Sequence, residues 1–282
     1  MRYLITGGSG QLGTDIKREL VKNGESDILT PGHNELDITD IDSTYKFIKE
    51  VSPDVIFHCA AYTNVDKASI ERINAWKTNV TGTCNMVLAS SSTNSKLINI
   101  STDYVFDGKK GTPYEINDER NPLNFYGRTK KVAEDTLIGS KKTFNVRTSW
   151  VFGENGKNFV KTMLKLAENH DKVDVIYDQV GSPTYTKDLA DALIELSKTD
   201  AYGTYHMTNE GFLSWYDFCK LIYKEAGINT YVNPIKASMY EGSNVLRPEN
   251  SRLSKKCLDD IGLDRLPSVE EAVKNYVKVL KK

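Results

Sequence analysis

Cysteine and histidine are scarce in this sequence of 282 residues, which contains four of each. The cysteines are far apart and none belongs to a Cys-x-x-Cys pair, so neither a disulfide framework nor a zinc site is indicated. The histidines likewise lack metal-ligand spacing. We therefore expect reduced, mostly buried thiols and no bound metal.

Long apolar runs and an excess of one charge are also missing. No run approaches the ~20 residues that a membrane span needs, and the net charge of −1 lacks the basic bias typical of nucleic-acid-binding proteins. Hydrophobic residues make up 39% and charged residues 27% of the chain, which is typical of globular proteins. The N-terminus enters a predicted strand without a signal-peptide pattern. These features predict a cytoplasmic protein with neither a nucleic-acid nor a membrane partner.

A glycine-rich turn stands between the first predicted strand, residues 2–6, and the first predicted helix, Thr14 to Lys22. Gly7, Gly10 and Gly13 have the spacing G-x-x-G-x-x-G. Glycine lets a turn bend tightly and brings backbone close to a pyrophosphate, and the helix N-terminus that follows offers free N–H groups to phosphates. The strand–turn–helix context favours a dinucleotide-binding turn over a plain structural turn.

Strands and helices alternate through the first half of the chain. Further strands are predicted at Asp27 to Thr30, Pro53 to Tyr62, Lys96 to Ile100 and Phe144 to Thr148, and helices at Ile41 to Val51 and Ile73 to Ser90. This order predicts an α/β fold with a doubly wound (Rossmann) parallel sheet and a smaller C-terminal substrate-binding lobe. We predict an NAD(P)-binding Rossmann domain at residues 1–150 and a mainly substrate-binding lobe at residues 151–282, with about 173–198 packing back on the Rossmann sheet.

The end of the second predicted strand bears on the choice of cofactor. An acid near this position holds the ribose 2′-hydroxyl of NAD, and an arginine accommodates the 2′-phosphate of NADP. Residues 30–34, Thr-Pro-Gly-His-Asn, contain neither, so NADPH or NADH is expected. Asp37 is a candidate for contact with the adenine amino group, and equally for an ordinary loop or capping carboxylate.

Tyr126 and Lys130 lie four residues apart at the start of a predicted helix, so they share one helical face. Because an ammonium group favours phenolate, we expect Lys130 to lower the pKa of Tyr126 and make it a proton donor for a carbonyl oxygen. Taken alone, the pair is more typical of an ordinary surface helix, and the motifs before it favour the catalytic interpretation. Thr102, at the carboxyl end of a predicted central strand, is placed to hold the same oxygen.

Taken together, the motifs resemble those of the extended short-chain dehydrogenase/reductase superfamily over nearly the whole chain. The segments that carry the resemblance are residues 60–68, 101–106, 126–130, 147–151, 158–163, 178–184 and 247–253. The resemblance implies an enzyme that uses NADPH or NADH to reduce the 4-keto group of dTDP-4-dehydro-6-deoxy-L-mannose to dTDP-L-rhamnose, a precursor of surface polysaccharide. A small-molecule dTDP-sugar is therefore the expected partner. A homodimer is one candidate for the assembly, which the sequence leaves open.

The resemblance also implies roles for individual residues. The implied catalytic residues are Thr102, Tyr126 and Lys130. The implied cofactor contacts, which join Gly7 and Gly13 of the glycine turn, are Gly10, Gln11, Leu12, Asp37, Ile38, Ala61, Tyr62, Thr63, Tyr126 and Lys130. The implied substrate contacts are Thr102, Asp103, Tyr126 and Trp150. Tyr62 departs from the family pattern, because several relatives have histidine at this position.

The diphosphate of such a substrate needs positive charge, and Arg247 is our candidate for meeting it. Arg252 and Lys157 are alternatives, and each of the three is also an ordinary solvated surface residue. Two other functions fit the same motifs. One is a non-catalytic, NADP-binding regulatory subunit of the methionine adenosyltransferase type, and the other is a reductase or epimerase for another dTDP-deoxysugar.

Overall fold

The computed structural model describes residues 1–281, and Lys282, the last residue of the predicted second lobe, lies outside the described part. The strands are β1 (Tyr3–Thr6), β2 (Ile28–Leu29), β3 (Val55–His58), β4 (Lys96–Thr102), β5 (Thr143–Thr148), β6 (Val151–Phe152), β7 (Lys172–Ile176), β8 (Val180–Gly181), β9 (Thr184–Tyr185), β10 (Gly203–His206), β11 (Leu213–Ser214) and β12 (Tyr231–Ile235). The helices are α1 (Gln11–Lys22), α2 (Ile41–Val51), α3 (Val65–Ala68), α4 (Arg72–Trp76), α5 (Gly82–Ser92), α6 (Phe125–Asp135), α7 (Phe159–Ala167), α8 (Thr186–Ser197), α9 (Trp215–Ala226), α10 (Lys256–Asp259) and α11 (Val269–Leu280). A π-helical turn, Lys77–Thr81, joins α4 to α5, and 3₁₀ turns occupy Asp103–Val105 and Ala237–Met239.

Six parallel strands form the central sheet in the order β10-β5-β4-β3-β1-β2. The prediction of a doubly wound parallel sheet is therefore confirmed. The direction of winding reverses at β1, because β2 lies on one side of it and β3 on the other. In sheets of this kind ligands bind beyond the carboxyl ends of the strands, next to the reversal.

Helices cover both faces of the sheet. Along β1 the side chains alternate between two buried clusters, with Ile5 in one and Leu4 in the other. The Ile5 cluster contains apolar residues of α1 and α8, including Ile16 and Leu189. The Leu4 cluster contains residues of α2 and α5, including Ile48. Burial on both faces explains why the central strands are almost continuously apolar.

A second hydrophobic core lies in the C-terminal half, around Phe152, Phe218 and Tyr276. Its strand pair is β7 with β12, in parallel register. Within residues 173–198, β7 belongs to the second core, whereas α8 packs on α1. Strand β10 supplies one edge of the central sheet from the same half of the chain.

None of the helices in residues 1–281 is long and apolar enough to cross a membrane.

Candidate active site

A cavity of about 740 Å³ opens at the carboxyl ends of β1, β3, β4 and β5. Its walls are the loops that follow these strands and β2, the first two turns of α6, and the aromatic rings of Trp150 and Trp215. This is the edge of the sheet where the direction of winding reverses, so the cavity occupies the usual ligand position of the fold.

The glycine turn packs backbone against backbone. Gly7 has a φ of +64°, and a Cβ at this residue would lie 2.7 Å from the Ala60 amide nitrogen. A Cβ on Gly13 would overlap the Gly7 carbonyl oxygen. Gly10 precedes α1 without a side-chain cap, so the first N–H groups of this helix stay available to an anion. These residues fit the pyrophosphate of a dinucleotide.

Asp37 and Ile38 line another part of the same cavity. The Thr39 backbone N–H and hydroxyl donate to the Asp37 carboxylate at 2.9 and 2.8 Å, and these bonds lower the pKa of Asp37. Asn85 donates to the Ile38 carbonyl at 2.9 Å and so anchors the segment. Asp37 thus accepts hydrogen bonds within its own turn and also lines the cavity. Both predictions for it, an ordinary loop carboxylate and a contact with the adenine amino group, are compatible with this position.

The predicted catalytic side chains come from two elements. Thr102 ends β4, and Tyr126 and Lys130 lie one turn apart in α6. Asn124 caps this helix by accepting a hydrogen bond from the Gly127 N–H at 2.8 Å. Thr102, Tyr126 and Lys130 all line the cavity, so the fold brings together residues that are far apart in the sequence.

Gly127 sets how closely α6 approaches the turn after β4. A Cβ at this position would overlap the Tyr104 carbonyl oxygen and would lie 2.9 Å from the Pro122 Cβ. The close approach places the Tyr126 ring edge-on to the Tyr104 ring, with centroids 6.1 Å apart and planes at 76°. A larger residue at position 127 would push Tyr126 away from Thr102.

Burial dominates the titration of Tyr126 and Lys130. Burial raises the pKa of Tyr126. The Thr102 side chain lowers this pKa and the negative charge of Asp103 raises it, but both effects are smaller than that of burial. Burial also lowers the pKa of Lys130 to about 8, and the Lys130 ammonium donates to the Ile100 carbonyl at 2.7 Å. The expectation that Lys130 lowers the pKa of Tyr126 is therefore wrong here, because loss of water outweighs the charge effect and the ammonium is bonded elsewhere.

A buried ion pair that the sequence analysis missed holds α6 against the sheet. Arg147 of β5 donates to the Glu134 carboxylate at 2.8 and 2.9 Å, and Ser101 of β4 donates to it at 2.5 Å. These bonds and the nearby positive charge of Arg147 lower the pKa of Glu134 in spite of its burial. One signal was available, because Glu134 lies four residues after Lys130 and hence on the same helical face.

Asn79, in the π-helical turn, connects the loop after β3 to α6 through hydrogen bonds of its side-chain amide. It accepts from the Tyr62 N–H at 2.7 Å and donates to the Tyr62 carbonyl at 3.1 Å and to the Thr129 hydroxyl at 2.9 Å. The Tyr62 phenol donates to Glu71 at 2.9 Å, and Tyr62 is not part of the cavity lining. The predicted cofactor contact of Tyr62 needs correction, because Glu71 holds the phenol outside the cavity.

Two stacked indoles close the C-terminal side of the cavity. Trp150 has a φ of +48° and lies face to face with Trp215, with ring centroids 3.5 Å apart and planes at 5°. Gly181 makes room for the pair, since a Cβ there would lie 2.6 Å from the Trp150 ring. A non-glycine residue in the left-handed region persists only when its surroundings hold it. Trp215 was not predicted, because only the tertiary structure brings it beside Trp150.

Arg247 lies outside this cavity. Its guanidinium group donates to both oxygens of Asp66 at 3.1 and 3.0 Å and to the Ser243 hydroxyl at 2.6 Å. It lines a second cavity of about 660 Å³, which shares Trp215 with the first. We expected the Arg247 charge to be free to meet the diphosphate of the substrate. This expectation needs correction, because the Asp66 carboxylate already pairs with the Arg247 guanidinium.

Gln11 of the glycine turn is held by a residue of the C-terminal half. Asn158 donates to the Gln11 side-chain oxygen at 3.1 Å and to the Gly153 carbonyl at 2.8 Å, and lies 3.1 Å from the Tyr276 hydroxyl. The same side chain caps α7 by accepting from the Lys161 N–H at 3.0 Å. Asn158 therefore connects the glycine turn to the second core.

The main cavity collects most of the predicted site residues. Those that line it are Gly7, Gly10, Gln11, Leu12, Gly13, Asp37, Ile38, Ala61, Thr63, Thr102, Asp103, Tyr126, Lys130 and Trp150. Tyr62 and Arg247 are the two that the structure places elsewhere.

The chain matches the family model described as RmlD substrate binding domain over residues 1–282. It is 42% identical over 271 residues to a dTDP-4-dehydrorhamnose reductase of Aggregatibacter actinomycetemcomitans, covering 92% of this chain and 90% of that one. It is 37% identical over 278 residues to the spore coat polysaccharide biosynthesis protein SpsK of Bacillus subtilis, covering 98% and 97% of the two chains. Its structure is similar to that of dTDP-4-dehydrorhamnose reductase from Bacillus anthracis in complex with NADP, with a TM-score of 0.95 and 38% identity over 100% of this chain and 99% of that one.

Proposed function

This chain belongs to the RmlD substrate binding domain family, and from that premise we propose that it is an NAD(P)H-dependent reductase. Its reaction is the reduction of the 4-keto group of dTDP-4-dehydro-6-deoxy-L-mannose to dTDP-L-rhamnose, for surface polysaccharide precursors. The observation that carries the proposal is that Thr102, Tyr126 and Lys130 share one cavity with the glycine turn.

Reduction of the keto group adds a hydride to carbon and a proton to oxygen. A bound nicotinamide supplies the hydride. The Tyr126 hydroxyl gives its proton to the oxygen, and the tyrosinate regains a proton from solvent. Thr102 donates a hydrogen bond to the same oxygen, so the negative charge that develops there meets donors already in place.

Lys130 supports this proton transfer. Its pKa of about 8 leaves the ammonium group mostly charged at neutral pH. We assign to that charge a partial stabilisation of the tyrosinate formed when Tyr126 gives up its proton, which burial outweighs, so that the pKa of Tyr126 stays raised. We also assign to Lys130 a contact with the nicotinamide ribose, as the family resemblance implies.

The second cavity offers room for the nucleotide part of the substrate. Trp215 lines both cavities, so a nucleotide-sugar can extend past its ring from one into the other. Arg247 is the one arginine or lysine among the described residues that line the second cavity. It therefore stays our candidate for contact with the diphosphate, with part of its charge neutralised by Asp66.

Either nicotinamide cofactor is expected to serve. Pro31, Gly32 and His33 line the cavity beyond β2, and Lys130 is the single lysine or arginine in the described part of its lining. A charged contact is worth roughly 2–4 kcal/mol. We therefore expect kcat/KM for NADPH and NADH to differ by less than about a thousandfold, which parallel kinetics with the two cofactors would measure.

The proposal extends to the organisation of the protein. We assign cofactor binding to residues 1–150 and mainly substrate binding to residues 151–282, in a cytoplasmic homodimer. Limited proteolysis with and without NADPH tests the division, and cell fractionation and light scattering test the location and the assembly.

The proposed activity is tested by steady-state kinetics with NADPH and dTDP-4-dehydro-6-deoxy-L-mannose, followed by NMR of the product. Tyr126→Phe removes the proton donor but keeps the ring, so kcat should fall roughly 10²–10⁴-fold with little change in KM. Tyr45→Phe, on the exposed face of α2, is the matched control. Near wild-type turnover in folded Tyr126→Phe would contradict the mechanism.

The alternative functions predict other outcomes of the same assay. Oxidation of NADPH by a different dTDP-4-keto sugar alone would indicate another deoxysugar product. NADPH binding without turnover of any such sugar would favour a regulatory subunit.

A further inference from the structure

The single hydroxyl proton of Thr102 is required in two places. In the structure Thr102 donates to Asp103 Oδ1 at 3.0 Å and accepts from the Tyr104 N–H at 3.2 Å. In the proposed reaction the same proton must point at the keto oxygen of the substrate. Because a hydroxyl carries one donor, the bond to Asp103 has to be given up or reversed.

We propose that Asp103 acts as a neutral carboxylic acid that donates its own proton to Thr102 and thereby frees the Thr102 proton for the keto oxygen. The inference rests on the proposed reductase function. Asp103 is then a positioning residue, because it acts through Thr102. The reaction stays balanced as before, with the proton of Tyr126 going to oxygen and only the direction of one hydrogen bond reversed.

The surroundings of Asp103 favour its neutral form. The residue is 2% exposed, and its Oδ2 atom has no hydrogen-bond partner among the described residues. An unpaired oxygen costs far more on a buried carboxylate than on a buried neutral acid. Burial raises the pKa of Asp103 to about 7 and outweighs the opposite effect of the Ser251 and Thr102 side chains and of the Asp103 and Tyr104 backbone N–H groups, none of which makes a well-formed hydrogen bond to Oδ2.

The charged and titratable groups near Asp103 do not offset its charge. Tyr104 follows it in the chain and Tyr126 lies near it on α6, and the negative charge of Asp103 raises the pKa of both phenols. The two nearby cations are bonded elsewhere, Lys130 to a backbone carbonyl and Arg247 to a carboxylate. Ionisation of Asp103 therefore leaves a buried negative charge without a cation to balance it, beside the Tyr126 phenol.

A dependence of the rate on pH follows. An acid with a raised pKa is neutral below that pKa, so the reduction runs fastest there. It slows as the pH rises through about 7, because ionised Asp103 accepts the Thr102 proton again. Tyr126 keeps its proton to higher pH, since burial raises its pKa. Lys130, with a pKa of about 8, loses its charge close to the same range, so the part of the fall that belongs to Asp103 is the part that Asp103→Asn removes.

The test compares kcat of the wild type with Asp103→Asn, Asp103→Ala and Thr102→Val at saturating NADPH and sugar across the pH range. The side-chain amide introduced by Asp103→Asn would donate to Thr102 at every pH and so imitate the neutral acid. Asp103→Asn should keep at least about a third of the wild-type rate at low pH and lose the fall near pH 7. Asp103→Ala and Thr102→Val should each be about tenfold slower than the wild type at low pH.

Two results would overturn the inference. One is an Asp103→Asn profile that keeps the wild-type fall near pH 7. The other is an Asp103→Asn rate as low as that of Asp103→Ala at every pH. Thermal melts check folding, and the isosteric asparagine variant decides the outcome if the alanine variant unfolds.

The proton on Asp103 can also be detected without turnover. Infrared difference spectra of wild type against Asp103→Asn should show a protonated carboxyl band that titrates near pH 7. An ionised Asp103 throughout the range would overturn the inference whatever the enzyme does. A titrating band without turnover of the sugar would instead refute the reductase function, and with it this role of Asp103.

Discussion

The side of the cavity that we propose for the cofactor and the side that we propose for the substrate are built by different means. The cofactor side is one continuous turn, residues 7–13, in which backbone packs on backbone. The substrate side consists of Trp150 and Trp215, which come from separate segments and stack on each other, and Arg247 lies in the adjoining second cavity, paired with Asp66. An atom added to the tightly packed glycine turn displaces the backbone of the whole turn. A substitution among separate side chains removes only the contacts of that side chain. We therefore expect all-or-none effects on the first side and graded effects on the second.

The largest effect is expected at Gly13. In Gly13→Val the added side chain overlaps the Gly7 carbonyl oxygen, so the start of α1 must move away from the phosphate site. NADPH affinity should fall more than about a hundredfold, which fluorescence titration would measure. Gly111→Val is the matched control, because a Cβ at Gly111 meets no atom within 4 Å. Normal titration in folded Gly13→Val would remove the distinction between the two sides.

The glycine turn and the grouping of Thr102, Tyr126 and Lys130 in one cavity could be predicted from the sequence, because most of their signals are local. The glycine spacing lies between a strand and a helix, and Tyr126 and Lys130 are one helical turn apart. Parallel strands meet at one edge of the sheet, so Thr102 at the end of β4 was expected near Tyr126. The pKa of Tyr126 was not predictable, because it depends on how completely the fold removes water from the phenol.

The substrate side depends on contacts between distant segments, so less of it could be predicted from the sequence. Trp150 came from the family resemblance, but its stacking partner Trp215 has no local signal. Arg247 was selected for its charge alone, and its pairing with Asp66 depends on how residues far apart in the chain meet. Burial of the Glu134 carboxylate was missed for the same reason.

The second prediction concerns the stacked indoles. Trp215→Ala removes an aromatic pair worth roughly 0.5–1.5 kcal/mol beyond its buried area and leaves Trp150 unsupported in its left-handed conformation. We expect KM for the sugar to rise about tenfold, with NADPH affinity unchanged. Trp215→Phe retains a stacking ring and should lose less. An equal loss of both ligands would show that the two sides are not independent.

The third prediction concerns the hydrogen bond by which Asn158, beside the second core, holds Gln11 of the glycine turn. Asn158→Asp keeps the acceptor that caps α7 but loses the amide that donates to Gln11. A hydrogen bond of this kind is worth about 1 kcal/mol, so NADPH should bind about fivefold more weakly in fluorescence titration. Asn158→Ala, which loses the cap as well, should bind NADPH similarly and melt at a lower temperature. Wild-type affinity in Asn158→Asp would show that Gln11 needs no support from the second core.

The smallest effect is expected beneath the glycine turn, where α1 meets α8. Burial, and then the charge of Glu19, raises the pKa of half-buried Asp191 to about 6. An aspartate with a folded-state pKa above its unfolded value of about 3.9 favours the folded protein when protonated. Its ionisation therefore destabilises the fold progressively as the pH rises from about 4 through 6.

Because solvent screens part of this charge, the free energy of unfolding of Asp191→Asn should exceed that of the wild type by only about 1 kcal/mol, or about 2 °C in Tm, at pH ~8, and should not differ at pH ~4. Thermal melts across this pH range measure the gain, with the exposed Asp264→Asn as control. A gain that is equally large at low pH would mean that the asparagine acts by packing. A change in KM for the sugar would mean that the two sides are coupled through α1.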